Sequence, residues 1–258
     1  DTRNRVAGFA GRIMDDTNPK YLNSPTTPIF NKGRLLYGFN IAKDSMKERG
    51  AVLVEGYMDV ILPHQYGSTN VVCSMGTALT DHQSSLLRES ASEVVLALDS
   101  DAAGQEATFR TVESSWRVFQ HQLVGQVRGQ TFFRKNQGPT LKVAVLPQGK
   151  DPDEIVQEDP QKWRDIIAKA SPLMEYLQIA LSSRLNLSTP EGKSQAAEML
   201  FPLITAMSDP IAQELQFSQL ATFLGVSQTT LEASLGRPWA NKNKTPRKAT
   251  SSTFSRLD

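Results

Sequence analysis

The chain has 258 residues, 39% of them hydrophobic and 21% charged, enough to bury a substantial core as one large domain or two small ones. No run approaches the ~18 consecutive apolar residues of a membrane span, no secretory signal pattern opens the chain, and one cysteine excludes a disulfide framework. The net charge of +1 conceals three zones: 9 Lys+Arg against 5 Asp+Glu in residues 1–50, 13 against 21 in 51–236, and 6 against 1 in 237–258. A basic front beside an acidic middle suits a polyanion held next to a cation-collecting site.

Taken in chain order, residues 1–50 read as short strands and loops, with Gly8 and Gly11 inviting turns and Pro19, Pro25 and Pro28 imposing an extended stretch. Asn40 to Arg49 reads as a helix ended by Gly50. A strand-then-helix rhythm follows, the pattern of a parallel sheet. Strands are predicted at 51–54, 70–74, 94–98 and 141–146, and helices at 57–66, 80–90, 102–122 and 153–157, the last open to extension. Residues 124–140 contain Gly125, Gly129, Gly138 and Pro139 with Arg128, Arg134 and Lys135, and read as a basic hairpin or a solvated loop. From Gln161 to Leu235 apolar residues recur at helical spacing, and Thr189-Pro190 and Asp209-Pro210 mark helix starts. Leu224-Gly225-Val226-Ser227 has the form of a turn between two helices and is read as packing rather than major-groove recognition. Residues 237–258 are basic and poor in apolar anchors, and are expected to be a disordered linker.

Cys73, inside Val71-Val72-Cys73, reads as a small buried hydrophobe of a reducing compartment. It makes no zinc site alone, and His64, His82 and His121 lack ligand spacing, so no zinc is expected.

Two acidic clusters carry the chemistry. Glu55 follows Val52-Leu53-Val54, and Asp99-Ser100-Asp101 closes Val94-Val95-Leu96-Ala97-Leu98. Both runs have the length and uniform apolarity of strands buried on two faces. A carboxylate just past such a strand lies at the carboxyl edge of the sheet, where open α/β folds bind ligands. Gathered carboxylates repel one another unless a cation sits between them, and magnesium, which takes oxygen ligands together with water and phosphate, fits that role. Asp101 also suits the cap of a helix starting near Ala102.

Strand, Glu-Gly, helix, then strand, Asp-x-Asp, Gly104, helix resembles the Toprim domain of primases, topoisomerases and some nucleases. Lys20-Tyr21-Leu22-Asn23-Ser24-Pro25 and Thr27-Pro28-Ile29-Phe30-Asn31-Lys32-Gly33 resemble the segment ahead of Toprim in bacterial replicative primases of the DnaG type. Val54-Glu55-Gly56-Tyr57-Met58-Asp59-Val60, Gly76-Thr77-Ala78-Leu79-Thr80, Leu98-Asp99-Ser100-Asp101 and Leu146-Pro147-Gln148-Gly149-Lys150-Asp151-Pro152-Asp153 then fall in that family's order, from about residue 3 to residue 236. The implied architecture is α/β: a partial α+β N-terminal subdomain at 1–50, a Toprim parallel sheet flanked by helices at 51–160, and a helical subdomain at 161–236.

The resemblance implies catalysis by Glu55, Asp99 and Asp101, with Asp59, Asp151 and Asp153 in a wider ring around magnesium, for which manganese substitutes. Glu55 is a ligand, a general base or both. Asp59, four residues beyond Glu55, either joins that ring or bonds the first turn of its helix. Asp151 and Asp153 equally suit a helix start. Arg12, Lys20, Tyr21, Asn23 and Lys32 match positions lining a groove for template and nucleotides, a set with charges for phosphates and a ring for stacking. Gly76 and Thr77 either take a phosphate or form a tight turn ahead of a Thr80 or Asp81 cap.

The implied activity is DNA-templated synthesis of short RNA primers by nucleotidyl transfer, in a bacterial cytoplasm or an organelle of bacterial descent. The implied partners are single-stranded DNA, ribonucleoside triphosphates and a replicative helicase, with no membrane. Asp1 in place of Met is read as a fragment lacking the zinc ribbon, the first part of the core and the helicase-binding domain. The alternatives are another Toprim enzyme that cleaves DNA, or a fragment that binds single-stranded DNA and metal without polymerising.

Overall fold

A computed structural model describes residues 1–14, 21–75, 79–97, 115–116, 119, 126–127, 130–131, 138–207 and 209–235. The chain begins with an antiparallel pair, β1 (Ala10–Arg12) and β2 (Tyr21–Asn23), in which Arg12 lies opposite Tyr21 and Ala10 opposite Asn23. A 3₁₀ turn at Lys32–Arg34 leads to α1 (Phe39–Arg49). That helix stops at Gly50, whose φ of +75° is open to glycine and strained for a side chain.

The central repeat then runs β3 (Ala51–Val54), α2 (Met58–Gln65), β4 (Val71–Cys73), α3 (Asp81–Ser90), β5 (Glu93–Leu96). A short antiparallel pair, β6 (Gln126–Val127) with β7 (Gln130–Thr131), gives the 124–140 segment a hairpin; Arg128, Arg134 and Lys135 lie outside the described residues. There follow β8 (Thr140–Val143), α4 (Pro152–Glu158), α5 (Pro160–Ala168) and β9 (Ser171–Pro172). The chain continues through α6 (Leu173–Arg184), α7 (Pro190–Thr205), α8 (Pro210–Leu224) and α9 (Gln228–Ser234). The helix expected over 102–122 falls mostly outside the described residues, although Ser115, Trp116 and Phe119 are helical and buried. Residues 237–258 lie outside them altogether.

The main sheet has the order β4-β3-β5-β8-β9, with the first four strands parallel and β9 antiparallel at the edge. Side chains alternate between two separate apolar clusters, which is why these strands lack polar alternation. Leu53, Val72, Val94, Leu96 and Leu141 face α1, α3 and the helices α6 to α9, meeting Met46, Leu87, Leu177, Leu200 and Leu220. Val52, Val54, Val71, Cys73 and Val95 face the other way, against Val60 of α2, Ile155 and Val156 of α4, and Trp163 of α5. Each large side chain buried in this way contributes roughly 1.5–3 kcal/mol.

The helix starts follow their caps. The Thr189 hydroxyl accepts from Gly192 N–H at 3.2 Å ahead of α7, Asp209 from Ile211 N–H at 2.9 Å ahead of α8, and Ser227 from Thr230 N–H at 3.0 Å ahead of α9. The helix expected at 153–157 extends only to Glu158, because Asp159 ends it and caps the next, accepting from Gln161 N–H at 2.8 Å. The edge strand Ser171–Pro172 was not expected: it interrupts the helical stretch from 161 and returns the chain to the sheet. Among the described residues no helix is long and apolar enough to cross a membrane.

Candidate active site

Parallel β3, β5 and β8 run in one direction, so the residues that follow them gather at one edge of the sheet. Glu55 emerges exposed from β3. Asp59, in the first turn of α2, is 7% exposed. Its Oδ2 accepts from Gly56 N–H at 3.0 Å and its Oδ1 from Asp153 N–H at 3.3 Å, tying the turn after β3 to the start of α4. Gly56 permits the close approach, since a Cβ there would lie 2.6 Å from Asp59 Oδ2. Burial, and then the charges of Asp153 and Asp151, push the Asp59 carboxyl up to about 6, while the two backbone bonds pull the other way.

Both readings of Asp59 therefore have a physical basis: the carboxylate braces two loops, and it lies within the field of two further acids. Asp151 and Asp153 stand at the start of α4, where Asp151 N–H donates to Glu154 at 3.4 Å and Glu154 N–H to Asp153 at 2.8 Å. Among the described residues no three His, Cys, Asp or Glu side chains form a group able to hold a metal ion. Asp99 and Asp101 lie outside the described residues, as do Lys20, Gly76 and Thr77.

The structure brings Arg12, Tyr21 and Asn23 together on the β1–β2 pair and sets that pair against the turn that carries Glu55. The Arg12 guanidinium sits 5.9 Å from the Tyr21 ring centroid. Tyr21 in turn packs on Tyr57 with centroids 5.5 Å apart, and Tyr57 meets Tyr37 edge-on at 4.9 Å. The Tyr57 hydroxyl donates to Asn23 Oδ1. Burial raises the Tyr21 phenol, Arg12 opposes this, and the charges of Asp59 and Asp153 add to it, so the ring feels the acidic edge. Burial also pushes the Tyr57 phenol up to about 12, which keeps it a donor.

Lys32 stands apart from this stack, its Nζ 3.5 Å from the carbonyl oxygen of Met75, the last described residue ahead of Gly76 and Thr77 in the sequence. Thr80 is the cap of α3, settling the choice between Thr80 and Asp81: its hydroxyl accepts from Gln83 N–H at 3.2 Å, and Gln83 Oε1 accepts from Thr80 N–H at 3.0 Å. Gln83, wholly buried, also donates to the carbonyls of Lys32 at 3.0 Å and Leu35 at 2.8 Å. The Thr-x-x-Gln spacing is a capping box that the sequence could have revealed, whereas the reach of Gln83 to Lys32 leaves no local signal. Tyr37 and Tyr57 were not singled out from the sequence for the same reason.

A parallel sheet bearing carboxylates at its carboxyl edge, a strand pair carrying Arg12, Tyr21 and Asn23 against that edge and a helical region beyond define a Toprim-type catalytic core. The Toprim domain family matches residues 49–125, the N-terminal domain of the DNA primase catalytic core matches 1–43, and the DnaB-helicase binding domain of primase matches 174–229. The DNA primase of Clostridium acetobutylicum is 34% identical over 90% of this chain and 36% of its own length. The structure of the DnaG catalytic core superposes with a TM-score of 0.72 and 33% identity, over 90% of this chain and 70% of that one. The DnaG primase catalytic domain bound to single-stranded DNA gives a TM-score of 0.73 and 32% identity, over 89% and 68%. The chain belongs to the DnaG-type bacterial DNA primase family, and it spans about a third of the length of the curated relatives it matches. The match at 174–229 corrects one expectation: the family's helicase-binding segment falls on α6 to α8 and the start of α9, within this chain.

Proposed function

We propose that this chain is the catalytic core of a DNA primase, joining ribonucleotides into short primers on a single-stranded DNA template at the sites of bacterial or bacterially derived replication. The observation that carries the reading is Asp59. It is a buried carboxylate at the carboxyl edge of a Toprim sheet, raised to about 6 by burial and by neighbouring acids. Hard oxygen donors in mutual repulsion fit a divalent cation, and Glu55, Asp59, Asp99, Asp101, Asp151 and Asp153 would hold magnesium or manganese. Such an ion supplies charge neutralisation for an α-phosphate under attack by a 3′-hydroxyl.

The remaining work falls to the chain's own groups. The Glu55 carboxylate has the chemistry to accept the 3′-hydroxyl proton as well as to act as a ligand. Arg12, Lys20 and Lys32 bind phosphates of the template and of the ribonucleoside triphosphates, and Tyr21 offers a face to a base. Asn23 bonds base or sugar, and Gly76 and Thr77 would supply backbone amides and a hydroxyl to a phosphate. The family match at 174–229 supports a replicative helicase docking on α6 to α8.

The test is a titration of manganese into the chain and into its Asp99→Asn/Asp101→Asn double variant, followed by calorimetry. Binding in the first and its loss in the second is the expected result. Equal binding by both places the ion elsewhere and overturns the assignment.

A further inference from the structure

Tyr57 lies in the turn between Glu55 and Asp59, yet its hydroxyl is spent on a residue of another element, Oδ1 of Asn23 on β2. Its ring is held on one side by Tyr21 at 5.5 Å and met edge-on by Tyr37 at 4.9 Å, which fixes where that hydroxyl stands. A phenol only 8% exposed needs such a partner, and it commits one end of the Asn23 amide. An amide has a carbonyl oxygen that accepts and an NH₂ that donates twice. With Oδ1 engaged by a donor, the end left for a ligand is Nδ2.

We propose that Tyr57 is a positioning residue that locks the Asn23 amide with its NH₂ toward the ligand, so that Asn23 recognises an acceptor oxygen of a nucleotide. The inference rests on the primase-core reading and deepens it: the turn that carries the catalytic carboxylate also sets the polarity of the nucleic-acid hairpin. The oxygen belongs to the template strand or to an incoming nucleotide, and two probes separate these sources.

Affinity for oligo(dT) and for ATP, both with manganese present, is measured for the unsubstituted chain and for Tyr57→Phe, Asn23→Ala and the double variant. Tyr57→Phe keeps all ring contacts and is expected to melt with the unsubstituted chain, yet to weaken binding of one probe about fivefold, the loss of one hydrogen bond. Asn23→Ala weakens the same probe by at least as much, and the double variant is no worse than Asn23→Ala alone. Asn23→Asp, which still accepts from Tyr57 but presents an anion in place of the donors, weakens it further. The probe affected names the source of the oxygen. Unchanged binding by Tyr57→Phe while Asn23→Ala weakens it, or effects that multiply in the double variant, overturns the positioning role. Unchanged binding by Asn23→Ala, with the unsubstituted chain binding normally, overturns this inference and leaves the primase reading standing. Binding of neither probe by the unsubstituted chain brings down both.

Discussion

At the scale of the residue, burial decides what each polar group can do. Cys73 is fully buried in the face of the sheet that meets α2 and α4. Burial, with a small further push from the Asp59 charge, raises its thiol from the ordinary 9.0 to about 12, against a backbone bond near Met75 that lowers it. The folded chain should therefore resist iodoacetamide at pH 8 and react only once denatured, as followed by mass spectrometry. Ready alkylation of the folded chain would contradict the buried placement. The sign of the linkage follows: the folded thiol holds its proton more tightly than the unfolded one, so this contribution is complete below about pH 9 and is lost as pH rises toward 12. The sequence made this residue legible, because Val71 and Val72 beside it in a short apolar strand leave a thiol little else to be. It did not make Tyr57 legible, because the partners Tyr21, Tyr37 and Asn23 lie in other segments and no local spacing reports such contacts.

At the scale of the element, two opposed effects meet at Gly192 in the first turn of α7. Replacing a helical glycine by alanine ordinarily gains about 0.5–1 kcal/mol from reduced chain entropy. Here an added Cβ would lie 2.1 Å from the Asn186 carbonyl oxygen, which also accepts from Thr189 N–H and from the Thr189 hydroxyl. The clash involves backbone, so the capping turn must move, and Gly192→Ala should cost about 2 kcal/mol and lower the melting temperature by several degrees. An unchanged or raised melting temperature would show that the turn yields cheaply.

Element type was legible wherever a period ran unbroken: the four parallel strands stand within a few residues of their predicted positions. What stayed hidden has physical reasons. Ile155 and Trp163 pack on the same cluster from two helices, so their apolar pattern continues across the break at Asp159, although Asp159-Pro160 is itself a stop and start signal. The two residues of β9 are strand only because β8 offers an open edge, a fact about the sheet that no window of sequence contains. Asp99 and Asp101, expected from the sequence after β5, lie outside the described residues. The brace that Asp59 makes across 94 residues to Asp153 emerged only from the fold.

For the whole molecule, α6 to α9 share one continuous apolar cluster with a face of the sheet, through Leu177, Leu200 and Leu220 on one side and Leu53, Leu96 and Leu141 on the other. Trp116 adds a bond across it, donating from Nε1 to the Leu203 carbonyl at 2.8 Å. The two regions should unfold together: far-ultraviolet dichroism and tryptophan fluorescence should give one coincident transition, and Leu200→Ala should lower both midpoints, costing about 2–5 kcal/mol. Two separated transitions would show that the helical part is an independent unit. The margins of the sheet carry a consequence for behaviour in crowded solution. β4 is closed on its outer side by Tyr37, whose N–H donates to the Cys73 carbonyl at 3.0 Å and whose carbonyl accepts from Cys73 N–H at 3.2 Å. At the opposite margin β9 is two residues long and ends in a proline, which has no N–H to offer. Both borders of the main sheet are thus short and partly blocked as templates on which a second chain could add strands. The main sheet can therefore be crowded together in solution without its flanks zipping copies into fibrils.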